Sequence, residues 1–315
     1  MKNYTIGVDL GGTKIAVGIV NKENKLIDKG SVPTFSERGF APIMKDMGEL
    51  INSLLNKNNI LIEECEYVGI GSPGLTNTET GYMTDNANLH WTNVPMRTEL
   101  QKYIPLPIHI DNDANVAAWA EYKLGCGKGT KNFVAVTLGT GVGSGVVINN
   151  TLYSGSHRAG AELGHMLFEK DGYLCGCGKK GCVEKYCSAS AIIFKTKELL
   201  ATGKYNDSVL ALINSDILSA RDVIDASKQG DKLALDVFIW YVDNLALFVT
   251  SIFNIFDPDV IALGGGVANA GEYLLAPLHE KIKDYLLIEN VPYAKVKIAE
   301  MGNDAGIFGA ALIGK

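Results

Sequence analysis

Two stretches of this 315-residue chain echo each other, and no other feature restricts its fold so strongly. Residues 4–21 read YTIGVDLGGTKIAVGIVN and residues 133–150 read FVAVTLGTGVGSGVVINN. Each is an apolar run, a Gly/Thr-rich turn and a second apolar run, the pattern of a β-hairpin with a glycine-dense tip. Asp9 falls against Thr137, Gly11 against Gly139 and Thr13 against Gly141. A supersecondary unit repeated in two halves of a chain predicts two similar domains rather than one. Glycines at such a tip let backbone N–H groups approach an anion closely. Two tips facing each other across a cleft could hold a polyphosphate from both sides.

Glycine-rich hairpins also occur simply as tight turns. Here the pair carries the hydroxyls of Thr13, Thr137 and Thr140 and the carboxylate of Asp9, which favours phosphate. No G-x-x-x-x-G-K-[ST] run is present, so a P-loop is excluded. Gly176, Gly178 and Gly181 match G-x-G-x-x-G in spacing only, because no strand leads into them.

The remaining pattern is α/β throughout. Short strands are predicted over residues 67–71, 107–111 and 260–266, the last feeding a triple glycine and another helix. Helices are predicted over 114–124, with Gly125 as its stop, over 231–256, ending at Asp257-Pro258, and over 302–313. A hydrophobic content of 47% is ample for two cores. The net charge of −6, without a Lys/Arg block, argues against nucleic acid as a partner. No signal peptide is expected, and no uninterrupted apolar run is long enough to span a bilayer. Clustered cysteines favour metal over disulfides and hence a reducing compartment, the cytoplasm.

That cluster lies in residues 160–182, GAELGHMLFEKDGYLCGCGKKGC. His165, Cys175, Cys177 and Cys182 make a complete four-ligand set, and zinc sites closed by thiolates and an imidazole are structural because no position is left for water. The plainer reading is three small buried hydrophobes and a satisfied histidine. Against it, Gly176, Gly178, Lys179, Lys180 and Gly181 surround the thiols and cannot form a core. Glu162 and Glu184 flank the set and are not needed as ligands, so a zinc clip would leave Glu162, His165 and Glu184 free to face a substrate. Cys65, Cys126 and Cys187 lie elsewhere and are expected to stay reduced.

IDNDAN, residues 110–115, puts Asn112 and Asp113 at a strand-to-helix junction. Both residue types are favoured there as N-caps. A positioned carboxylate could equally accept the proton of a hydroxyl attacking a phosphoryl group. Asn112, Asp113, Glu162, His165 and Glu184 together suit a polyol, whose vicinal hydroxyls are read by carboxylates and amides.

At this point the chain resembles the ROK sugar kinases of the actin/hexokinase-type superfamily, over nearly its whole length. DLGGTK (residues 9–14) resembles the first phosphate loop, TLGTGVGSG (137–145) the second, and LGGGV (263–267) the adenosine-side glycines. NDAN (112–115) resembles the catalytic segment, and GAELGH with CGCGKKGCVE the zinc-and-sugar signature. The resemblance implies two similar actin/hexokinase-like (ribonuclease H-like) α/β domains with an interdomain cleft. The small domain would span 1–112 plus a C-terminal helix, 302–315, and the large domain 113–301 with the zinc loop. It implies Asp113 as general base, and Gly74, Asn112, Asp113, Glu162, His165 and Glu184 as sugar contacts. Asp9, Gly11, Gly12, Thr13, Lys14, Thr137, Gly139, Thr140, Gly141, Gly264, Gly265 and Gly266 would hold ATP with Mg²⁺, and His165, Cys175, Cys177 and Cys182 a structural Zn²⁺.

The expected activity is that of a glucokinase-like hexose kinase, a homodimer feeding glycolysis; NLHW (residues 88–91) resembles the glucokinase members. An N-acetylmannosamine kinase with the same machinery and a non-catalytic sugar-binding regulator stay open. A repressor is disfavoured, because the first phosphate loop begins within ten residues of Met1 and leaves no room for a helix-turn-helix module.

Overall fold

The computed structural model describes residues 2–86, 89–288 and 291–314. In chain order its strands are β1 (Tyr4–Leu10), β2 (Lys14–Asn21), β3 (Leu26–Pro33), β4 (Cys65–Ser72), β5 (Leu75–Asn77), β6 (Tyr82–Asn86), β7 (Trp91–Val94), β8 (Ile108–Asn112), β9 (Phe133–Leu138), β10 (Val142–Ile148), β11 (Thr151–Tyr153), β12 (Val260–Gly264) and β13 (Lys295–Ile298). The α-helices are α1 (Phe40–Lys57), α2 (Met96–Leu100), α3 (Asp113–Lys123), α4 (Glu184–Cys187), α5 (Ala189–Leu200), α6 (Ala220–Lys228), α7 (Lys232–Phe256), α8 (Glu272–Ile282) and α9 (Ala305–Ala310). One sheet runs β3-β2-β1-β4-β8 and another β11-β10-β9-β12-β13, so each glycine hairpin lies within a five-stranded sheet. A third, small sheet is β5-β6-β7.

The chain divides into two compact units: residues 1–129, 145–161 and 300–315 form the first, and residues 130–144 and 162–299 the second. The 112/113 boundary expected from sequence falls between β8 and α3, inside the first unit. The division is discontinuous because compactness follows packing and not chain order.

In the first unit β1 pairs antiparallel with β2 and parallel with β4, and β4 pairs parallel with β8. Strands buried on both faces carry near-continuous apolar runs, as β1 and β2 do. β3, by contrast, alternates half-buried and exposed positions along its whole length. α1 places Ile43, Met44, Met47, Ile51, Leu54 and Leu55 on one buried face at helical spacing. On the sheet, α9 comes so close that a Cβ at Gly7 would sit 1.9 Å from the Ile307 carbonyl oxygen, and one at Gly69 would sit 1.8 Å from that of Ala310. Only glycine permits such an approach of backbone to backbone. The helix expected over 302–313 is shorter than that: a 3₁₀ turn, Gly302–Asp304, leads into α9, and Leu312 N–H returns to the Gly309 carbonyl in a tighter closing turn.

In the second unit β12 pairs parallel with both β9 and β13. α7 begins at an Asp231 cap, whose side chain accepts from Ala234 N–H, and ends at Asp257 in the left-handed region before Pro258. By length and composition α7 is apolar enough to cross a bilayer, which the sequence reading of uninterrupted runs did not anticipate, but most of it is buried inside the protein. Leu233, Val237, Tyr241, Leu245, Phe248 and Ile252 are wholly covered, as in the core helix of a globular unit. The triple glycine that starts with the last residue of β12 leads into a 3₁₀ turn, Val267–Ala270, before α8 begins.

Candidate active site

Parallel pairing in the first unit sets Asp9 beside Gly71 and Ser72 beside Asn112. The carboxyl ends of β1, β4 and β8 therefore bring Asp9, the Ser72-Pro73-Gly74 turn and Asn112-Asp113 together, where open α/β sheets place their ligands. The β1–β2 turn is tight, with Gly11 N–H donating to the Lys14 carbonyl at 2.9 Å. The end of β3 braces it: Thr34 N–H donates to the Thr13 carbonyl at 2.9 Å, and its hydroxyl donates to that of Gly11 at 2.7 Å. Thr13 and Lys14 are exposed, while Gly11 and Gly12 are half-buried.

Burial raises the pKa of Asp9, the nearby Asp113 charge raises it further, and Lys14 opposes both. Asp113 is also raised by burial, against a hydrogen bond from Ala114 N–H to Oδ1 at 2.8 Å. Asn112 caps α3, its Oδ1 accepting from Ala114 N–H at 2.8 Å and Asn115 N–H at 3.3 Å. Its Nδ2 donates to the Gly74 carbonyl at 3.2 Å. Capping thus occupies the Asn112 oxygen, and only one amide hydrogen is left to address a ligand. Gly74 has φ +93°, and a Cβ there would meet the Asp85 carbonyl oxygen at 2.2 Å.

Sequence reading passed over Asp111, which organises this corner. Its Oδ1 accepts from Asn112 N–H at 2.7 Å and from Asn115 Nδ2 at 3.0 Å. His109 and Asp111 also line a pocket of about 500 Å³ in this unit, with Trp119, Ser154 and Arg158, and none of the candidate ligands or the candidate base lines it. Of NLHW, Asn88 lies outside the described residues; Leu89 and Trp91 are buried.

In the second unit the four candidate metal ligands converge, with one donor atom from each of His165, Cys175, Cys177 and Cys182 within 4.8 Å of the others. Cys177 Sγ and Cys182 Sγ are 3.6 Å apart, and Cys175 Sγ lies 3.8 Å from His165 Nδ1. A tetrahedral zinc with Zn–S bonds of about 2.3 Å separates its sulfurs by about 3.8 Å, so the donor set fits. The loop is drawn tight by Cys175 N–H on the Lys179 carbonyl at 2.8 Å. Nδ1 is the ring nitrogen that meets the Cys175 thiol, so a metal bound through it leaves Nε2 without a metal bond.

Glu184 opens α4, and its carboxylate spans two elements. Oε2 accepts from Val142 N–H at 3.2 Å, and Cys175 Sγ lies 3.4 Å from Oε1. Glu162 precedes the 3₁₀ turn Leu163–His165, which is held on β10 by Leu163 N–H donating to Ser144 Oγ at 3.0 Å. Glu162 and His165 are exposed, and Glu184 is half-buried.

The second glycine tip closes through Gly139 N–H on the Gly141 carbonyl at 3.0 Å, and Ala189 N–H at the start of α5 donates to the Gly139 carbonyl at 2.8 Å. Thr140 at its apex is exposed. Pairing of β12 with β9 sets Gly264 beside Thr137, and Gly265, with φ +84°, lies on the Leu138 backbone. Within this unit the second tip, Gly264 to Gly266 at the end of β12, the cysteine loop and Glu184 thus form one connected assembly. The bonds from Val142 to Glu184, from Leu163 to Ser144 and from Ala189 to Gly139 carry no sequence signal, because each joins segments remote in the chain.

Paired glycine hairpins at the carboxyl ends of parallel strands, one in each of two α/β units, define the two-domain class to which actin and the hexokinases belong. The chain belongs to the ROK family, whose model matches residues 5–315. It is 39% identical over 313 residues to a glucokinase of Thermotoga maritima, covering 98% of this chain and 96% of the relative. A glucokinase of Halalkalibacterium halodurans is 33% identical, with 99% and 95% covered. A solved ROK family glucokinase from Streptomyces griseus, in complex with glucose and AMPPNP, superposes with a TM-score of 0.82 at 33% identity, covering 98% of each chain.

Proposed function

We propose that this chain is an ATP-dependent glucokinase that transfers the γ-phosphoryl group of ATP to the 6-hydroxyl of glucose. The observation that carries the reading is the full-length likeness to glucokinases at up to 39% identity. Asp113 is the general base. It accepts the 6-hydroxyl proton as that oxygen bonds to the γ-phosphorus; the bond from phosphorus to the bridging oxygen breaks, and ADP leaves. The pKa raised by burial suits this role, since the carboxylate holds the proton better than an exposed one. Asn112 with Gly74, and Glu162, His165 and Glu184, bind the sugar hydroxyls. Gly11 to Lys14, Thr137 to Gly141 and Gly264 to Gly266 bind the nucleotide through backbone N–H groups and hydroxyls.

When bound, Mg²⁺ neutralises phosphate charge, and Asp9 is the carboxylate placed to hold its hydration shell. His165, Cys175, Cys177 and Cys182 would hold zinc, which would fix the loop and the tautomer of His165 and leave Nε2 for a sugar hydroxyl. The reading includes a homodimer in the cytoplasm, acting at the entry to glycolysis, with neither nucleic acid nor membrane as partner; the acidic net charge of −6 supports the exclusion of nucleic acid.

The test is a coupled ADP-release assay with Mg-ATP and a panel of glucose, N-acetylmannosamine, N-acetylglucosamine, fructose, mannose and allose. A dominant response to glucose is expected. A preference for N-acetylmannosamine keeps the mechanism and replaces the substrate; silence across the panel, with zinc present, overturns the kinase reading.

A further inference from the structure

We infer that Gly141, in the second glycine tip, sets the affinity of the sugar site through the carboxylate of Glu184, so that nucleotide hairpin and sugar contact are mechanically coupled. The inference rests on the proposed role of Glu184 as a sugar ligand. A Cβ built on Gly141 would lie 2.3 Å from Glu184 Oε2, 3.2 Å from its Cδ and 3.9 Å from its Cγ, and these three atoms of one side chain are its nearest neighbours. Gly141 is not among the glycines with positive φ, so an alanine can adopt its backbone. The absence of a side chain at this position therefore makes room for the Glu184 carboxylate rather than for an unusual turn.

That carboxylate is held from two sides. Val142 N–H, the next amide in the hairpin, donates to Oε2 at 3.2 Å, and Cys175 Sγ stands 3.4 Å from Oε1. A methyl group on Gly141 displaces the carboxylate and breaks the Val142 bond while leaving the hairpin backbone as it is. By linkage, whatever a bound sugar contributes to fixing Glu184 it contributes to fixing the hairpin, and nucleotide and sugar raise each other's affinity by one common factor.

The experiment is calorimetric titration of glucose, without nucleotide, into wild type, Gly141→Ala and Leu212→Ala, with zinc content and circular dichroism matched. Leu212→Ala is the control, an exposed position at the end of the 3₁₀ turn Val209–Leu212 of the same unit and outside the proposed binding residues. Gly141→Ala is expected to weaken glucose binding by about tenfold or more, on the order of what misplacing one binding group costs. Leu212→Ala should stay within about twofold of wild type, the range of an exposed surface substitution. Equal affinity in wild type and Gly141→Ala overturns the inference and leaves the function standing. Failure of the wild type to bind glucose or any sugar of the panel overturns the function, and the inference with it. Should Gly141→Ala not fold, Glu184→Asp supplies the reciprocal reading. Shortening the side chain withdraws the carboxylate from Val142 without altering the hairpin, and AMPPNP affinity measured without sugar is expected to fall severalfold; unchanged AMPPNP affinity overturns the inference.

Discussion

Gly306 of α9 passes so close to Asp9 that a Cβ on it would sit 2.7 Å from Asp9 Cγ and 2.8 Å from Oδ2. Gly306 has no positive φ and lies inside a helix, so alanine suits its backbone. Gly306→Ala is expected to fold and to push Asp9 aside. On the proposed role of Asp9 as the carboxylate that holds Mg²⁺, kcat should fall by about 10²-fold, the cost of a misplacement near 1 Å, with little change in KM for glucose. Steady-state kinetics at several Mg²⁺ concentrations check it.

Asp113→Asn should keep sugar affinity and lower kcat by about 10²- to 10⁴-fold, the range of general base catalysis. Near-normal turnover would remove Asp113 as the base.

The raised pKa of Asp113 also has a sign for stability. Because burial lifts the folded-state value above that of the unfolded chain, the native state binds the proton more readily, and stability falls as pH rises from the unfolded to the folded pKa. This is opposite to a salt-bridged carboxylate. Asp113→Asn should therefore raise Tm at pH 7, and the gain should shrink as the pH is brought down through the folded pKa of Asp113 towards its ordinary value. Thermal melts across that window decide it; a gain that grows on acidification would contradict the burial argument.

Cys177→Ser takes away the one exposed thiol of the ligand set. Metal analysis should find well under one zinc per chain, and KM for glucose should rise as the loop carrying His165 loosens. Chelation of the wild type should reproduce the effect, and added zinc should reverse it. Stoichiometric zinc with unchanged KM would eliminate the structural clip.

Asn112→Ala removes the α3 cap and the bond to Gly74 together. A loss of about 1 kcal/mol is expected from the cap, readable by denaturant unfolding. KM for sugar should rise as well, because the Gly74 turn loses its tether.

What could be read from the sequence was what local chemistry dictates. Glycine placement marks the tips after Leu10 and Leu138, the Cys-x-Cys spacing marks the ligand set, and an Asn-Asp pair after an apolar run marks the start of α3. Asn112 proved to be the cap, and which of the two residues would cap was not readable, since either residue type serves at such a junction. The bond from Val142 to Glu184 spans 42 residues and follows no periodicity. Nor does any local pattern announce that residues 145–161 pack with the first unit; for the C-terminal helix that expectation came from the family resemblance alone.

That last arrangement bears on how the chain reaches its fold. The surface of β1 and β4 at Gly7 and Gly69 is shaped to receive the backbone of α9, more than 200 residues later in either case. During synthesis the first sheet is made early, and its surface at Gly7 and Gly69 waits for residues 305–310 while the whole second unit is translated in between. Contacts this distant in sequence close slowly, and exposed apolar sheet surface invites aggregation in the meantime. Docking of residues 305–310 is therefore a late step in covering this face, and a nascent chain arrested before them leaves the surface at Gly7 and Gly69 without its partner helix.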